Sequence, residues 1–148
     1  MMNNLKDQEG FTLIESLIVL SVIAILLTLP VIPFRKVQKE IEMALFFEEL
    51  QSSITLLQHH AILARESTVV ETQPSARNIT FIVEGRKDSK LNRSLYLPEH
   101  IELVGGSKRY RFNSASGNLG NIYPIVFRID NELVNLKFSM GSGRFEME

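Results

Sequence analysis

Gly10-Phe11-Thr12-Leu13-Ile14-Glu15-Ser16-Leu17-Ile18-Val19-Leu20 opens an apolar run that lasts to Phe34, and Glu15 is the only charged residue from Phe11 to Phe34. Those 24 residues exceed the roughly 20 that a helix needs to cross a bilayer core, so the run is long enough for a membrane span. A carboxylate inside such a span costs about 2.5–3.5 kcal/mol at the centre and less towards the end. That cost calls for a compensating partner. Thr12-x-x-Glu15 ahead of an apolar run is also a helix capping box, and a carboxylate in a first turn favours the helix dipole. A secretory signal peptide fits less well. Its apolar core is usually about 7–15 residues behind a positive stretch, whereas here Lys6 stands against Asp7 and Glu9.

The block from Gly10 to Leu20 closely resembles the type III signal of type IV pilins and pseudopilins. That resemblance implies cleavage by a prepilin peptidase between Gly10 and Phe11, and N-methylation of Phe11 as the new first residue. It also implies a filament-assembly role for Glu15, whose carboxylate attracts the free terminal amine of a neighbouring subunit. The physics fits, since an amine and a carboxylate at low dielectric each remove the other's desolvation cost. One tendency points the other way. Arg35, Lys36 and Lys39 follow the span and Lys6 precedes it, which by the positive-inside rule places the amino terminus outside. The peptidase signal requires it inside, and here the motif outranks the charge count.

A chain of 148 residues leaves room for one domain beside the span. The formal net charge is −1, and without Lys6, Asp7 and Glu9 the basic and acidic side chains balance. Such a balance gives no bulk attraction to nucleic acid or anionic surfaces. Cysteine is absent, which excludes a disulfide framework and thiolate metal sites. An extracellular domain must then hold itself by its core, and an apolar content of 45% makes that feasible.

Pro30 and Pro33 interrupt the helical signal, each removing a backbone donor, and should bend or open the helix. Beyond them Met43, Phe47, Leu50, Ile54, Leu57, Ala61 and Ala64 alternate spacings of four and three, a sustained helical stripe. It reads as a face packed on a sheet rather than a coiled-coil seam, because strands follow it. A helix from Phe11 to about Arg65 would reach roughly 80 Å at 1.5 Å per residue. After Arg65 the period becomes two. The expected strands are Thr68–Thr72, Ile79–Glu84, Ser94–Leu97, Ile101–Val104, Arg109–Asn113, Ile125–Ile129, Leu133–Ser139 and Arg144–Met147. Asp130-Asn131 is the sharpest hairpin signal, and Gly85 to Arg93, polar and mostly basic, reads as a mobile loop. The fold class is therefore α+β, a long N-terminal helix packed on a small antiparallel β domain. The expected division is 1–10 leader, 11–34 transmembrane and filament-core helix, 35–66 amphipathic helix and 67–148 β domain.

Phe46-Phe47-Glu48-Glu49-Leu50 with Gln58 and Ala61 is similar to the helix of the ComGD group, competence minor pseudopilins of Gram-positive bacteria. Tyr96-Leu97-Pro98 followed by Ile101, Phe112 with Gly117, and Gly141-Ser142-Gly143-Arg144 are similar to the globular part of that group. Many pilins carry one proline near the middle of the first helix, and this chain departs from them with Pro30 and Pro33 close together. The resemblance implies a minor pseudopilin of a competence type IV pilus, acting in DNA uptake. It also implies a single-pass membrane location followed by the cell surface. Its partners would be the prepilin peptidase, major and other minor pseudopilins, the pilus assembly machinery and the membrane. A type II secretion-like pseudopilin, or a signal-anchored extracellular binding domain that never polymerises, is the alternative.

Catalysis finds no support in the residues, and no catalytic, cofactor-binding or metal site is expected. His59 and His60 are adjacent, so they point about 100° apart on a helix and do not share a metal as an i, i+4 pair would. Ser142 between two glycines precedes a strand, not the helix of a nucleophile elbow. Gly105-Gly106 and Gly141-x-Gly143 lack a phosphate-loop lysine and read as turns. Lys108, Arg109 and Arg111 interleave with Tyr110 and Phe112, a combination suited to stacking bases and holding phosphates. On a strand, however, the arginines face one way and the aromatics the other, which is ordinary amphipathic alternation. Arg86, Lys87, Lys90 and Arg93 are balanced by Glu84 and Asp88, so direct DNA binding is not expected.

Overall fold

The computed structural model describes residues 12–28, 31–121, 123–139 and 144–148. The chain divides into two compact units, Met1–Gln38 and Lys39–Glu148. Helix α1 spans Leu13–Thr28 and α2 spans Val31–Leu63. Pro30 lies outside the described residues. Pro33 is the third residue of α2 and does not break it, because the first N–H groups of a helix have no intrahelical acceptor to lose.

Eight strands follow: β1 Thr68–Gln73, β2 Asn78–Val83, β3 Arg93–Tyr96, β4 Ile101–Val104, β5 Lys108–Phe112, β6 Ile125–Ile129, β7 Glu132–Phe138 and β8 Phe145–Met147. They form two four-stranded sheets in the orders β3-β2-β1-β5 and β4-β6-β7-β8, with every ladder antiparallel. In the first sheet Val70 sits between Phe81 and Tyr110, and Thr68 between Val83 and Phe112. This register turns one set of alternate side chains to the core, as period two demands. In the second, Phe127 lies between Leu103 and Val134. Asp130 and Asn131 join β6 to β7 with φ of 52° and 135°, the positive values that tight hairpins require.

The part of α2 beyond Lys39 covers both sheets. Phe47, Leu50, Ile54, Leu57 and Ala61 are buried at the expected spacing, with Met43 partly so. Ala64, the end of the expected stripe, instead lies past the helix and is exposed. Phe46 and Ser53 are buried although neither belongs to the stripe, because a helix against two sheets buries a wider wedge than one seam. Phe46 and Phe47 meet Phe127 edge-on at 6.0 and 5.2 Å. Phe138 of β7 meets Tyr110 at 5.2 Å and Phe112 at 6.5 Å, joining the sheets. Thr68, fully buried, donates its hydroxyl to the Leu57 carbonyl at 3.0 Å, which satisfies a polar group in the core. Arg77, at φ 50°, donates its guanidinium to the carbonyls of Pro98, Glu99 and Ile101 and so holds the β3–β4 connection.

Candidate functional site

Gly10 and Phe11, the expected cleavage and methylation positions, lie outside the described residues. The segment that follows them is described. Thr12 precedes α1, and its Oγ1 accepts the Glu15 N–H at 3.4 Å while its carbonyl accepts both Glu15 and Ser16 N–H at 3.1 Å. Glu15 thus stands in the first turn of α1 with an exposed side chain. One half of the capping box is present, and the Glu15 carboxylate remains outward.

From Leu13 to Leu27 every side chain of α1 is exposed, and eleven of these are large and apolar. At about 1.5–3 kcal/mol for each such side chain moved out of water, burying this helix is worth on the order of 20 kcal/mol. A single carboxylate near its end opposes that by no more than about 3 kcal/mol. The apolar term wins, so α1 needs an apolar environment that the described residues do not supply to it. Among the described residues, however, no helix is long and apolar enough to cross a membrane. The 16 residues of α1 reach about 24 Å against a hydrocarbon core of about 30 Å. The expected single span over 11–34 is thus described as a shorter apolar helix followed by the start of α2.

At the other end of α2 lies a polar cluster that sequence reasoning missed. His60 Nε2 is 3.0 Å from Glu66 Oε2, and Arg86 Nε is 2.6 Å from Glu66 Oε1. The imidazole hydrogen bond, together with the charge of Arg86 and against partial burial, holds the Glu66 carboxyl below its ordinary range. No periodicity links residues 60, 66 and 86, so the sequence carried no signal for this cluster. Beside it lies the β2–β3 loop, which falls in the expected loop segment Gly85 to Arg93. Asn92 ties it internally, accepting the Val83 N–H at 2.8 Å and donating to the Arg86 and Lys87 carbonyls at 2.7 and 3.0 Å.

The remaining sequence candidates separate as their residue types dictate. Tyr110 and Phe112 are fully buried, while Arg109 and Arg111 are exposed on the other face and pair with Glu84 at 3.3 and 2.8 Å. His59 is exposed and apart from the Glu66 cluster. Among the described residues no group of three His, Asp or Glu side chains is placed to hold a metal ion.

Residues 5–29 match a family model described as the prokaryotic N-terminal methylation motif. The fold is similar to that of the type IV minor pilin FimU of Pseudomonas aeruginosa, with a TM-score of 0.53 and 15% identity over 74% of this chain and 90% of that one. The fold is pilin-like. No curated protein matches it in sequence.

Proposed function

We propose that this pilin-like chain is a minor pseudopilin of a competence type IV pilus that takes up DNA. On this reading the peptidase cuts after Gly10 and Phe11 is methylated. The subunit waits in the membrane, and the Glu15 carboxylate guides α1 into the filament by meeting a neighbour's terminal amine. The observation that carries the reading is α1 itself: an apolar helix whose side chains from Leu13 to Leu27 are all exposed, with one outward carboxylate in its first turn. Such a helix needs both an apolar surround and a cation. The likeness of Phe46-Phe47-Glu48-Glu49-Leu50 and Tyr96-Leu97-Pro98 to the ComGD group supports competence over a type II secretion-like system. A signal-anchored domain that never polymerises is favoured by one contact, the Thr12–Glu15 cap, which explains a glutamate here without assembly.

Glu15→Val separates the two. In a bare anchor the change removes a charge from lipid and leaves function intact. In an assembling subunit it should leave processing at Gly10 unchanged and retain the cleaved protein in the membrane fraction. Its amount in sheared pili and the transformation frequency should both fall. Unchanged incorporation and unchanged uptake would reduce Glu15 to a capping residue and favour the anchored domain.

A further inference from the structure

Between the last turn of α2 and the β2–β3 loop lies a cleft of about 520 Å³, lined by His60 and loop residues 85–90. Along the chain, Glu84 and Asp88 balance the basic residues of this loop. The fold removes half of that balance, because Glu84 is engaged by Arg109 and Arg111 of β5. The arginines of the loop are also committed. Arg86 is held by Glu66 at 2.6 Å, and Arg93 by Glu49 at 3.3 Å and by the Ser53 hydroxyl. Lys87 and Lys90 remain, exposed and without a side-chain partner among the described residues. Asn92 occupies the carbonyls of Arg86 and Lys87, whereas the N–H groups of Lys87, Asp88 and Lys90 have no acceptor among the described residues. The two uncommitted ammonium groups stand beside these three backbone donors. Asp88 on the same rim limits how many negative groups fit.

We propose that this cleft is an anion site in which Lys87 and Lys90 hold phosphates of the DNA backbone. The choice of polymer rests on the DNA-uptake reading. The choice of phosphate rests on the side chains. Lysine presents a point charge that binds phosphate without a directional fork, and both arginines of the segment are already held by carboxylates.

The test uses the full chain in neutral detergent with a short fluorescein-labelled DNA duplex, read by anisotropy across a salt series. Each phosphate contact contributes about 0.9 to the slope of log affinity against log salt. Lys87→Gln with Lys90→Gln should therefore flatten the slope by about 2 and weaken binding about tenfold at low salt. Arg128→Gln with Lys137→Gln removes the same charge from β6 and β7 and should change neither. Inorganic phosphate at constant ionic strength should compete with the duplex. No duplex binding by the parent, an equal loss in the control pair, or binding to phosphatidylglycerol vesicles in place of duplex overturns the site. If the duplex fails to bind while Glu15→Val still lowers pilus incorporation and uptake, the site falls and the proposed function stands. If the lysines govern duplex binding while the chain is absent from pili and dispensable for uptake, the proposed function falls.

Discussion

Gly117 takes φ +63°, and a Cβ built on it would lie 2.7 and 2.8 Å from the Cγ1 and Cδ1 of Ile62 and 3.3 Å from Gln58 Cγ. Its neighbours secure the end of α2, since the Ala115 N–H donates to the Ala61 carbonyl at 2.8 Å and Gln58 Nε2 donates to the Gly117 carbonyl at 3.3 Å. Gly117→Ala combines two costs. A left-handed backbone costs an L side chain about 1–2 kcal/mol, and overpacking adds about 1–3 kcal/mol. Gly85, at φ +80° with nothing within 4 Å of its Cβ position, isolates the first. Gly85→Ala should lower stability by about 1 kcal/mol and Gly117→Ala by about 2–4 kcal/mol in urea unfolding. Equal losses would mean that Ile62, which is partly exposed, swings aside. At this scale legibility depended on locality. Thr12 and Glu15 are three residues apart, so their cap was readable from the sequence. Glu66 finds His60 and Arg86 only through the fold, and no spacing announced it.

Every strand lies within one residue of its sequence expectation, because one face of each sheet is buried and alternation marks that face. Tyr110 and Phe112 turned inward for the same reason. The division into two sheets was not legible. β4 leaves β3 and pairs with β6, a choice made by the match of Ile101 and Leu103 to Ile129 and Phe127 rather than by any local pattern. For α2 the stripe was legible, but its width was not, since Phe46 and Ser53 are covered only because two sheets meet one helix. The helix face makes a direct prediction. Leu50 and Leu57 are 0% and 1% exposed, whereas Leu45 is 59% exposed. Leu50→Asp or Leu57→Asp buries an unpaired charge and should cost more than about 4 kcal/mol, enough to unfold the domain, while Leu45→Asp should stay within about 0.5 kcal/mol. Thermal melts by circular dichroism read all three. Parent-like melting of both core variants would mean that α2 presents this face to a partner instead of the sheets.

The unit from Lys39 to Glu148 holds the buried core of the described residues and contains no cysteine, so residues 39–148 alone should fold without metal or reductant. Two groups set how that stability responds to pH. Glu66 has a lowered pKa in the fold, from an ordinary 4.5, so its pairing with His60 and Arg86 contributes above the unfolded value and is lost as pH falls through the folded one. Stability should therefore decline on acidification below about pH 4.5, and Glu66→Gln should flatten that decline. Tyr110 behaves oppositely, because burial pushes its phenol from 10.0 up to about 12 and its hydroxyl donates to the Pro124 carbonyl at 3.3 Å. Above pH 10 the unfolded chain loses this proton and the folded chain keeps it, so stability falls as pH rises towards 12. The loss attributable to Tyr110 is on the order of 1–3 kcal/mol. Tyr110→Phe gives up one hydrogen bond, about 1 kcal/mol at neutral pH, yet removes the alkaline penalty. The stability curves of parent and Tyr110→Phe should therefore converge or cross between pH 10 and 12. Parallel curves across that interval would show that the phenol ionises without unfolding the core around Phe138.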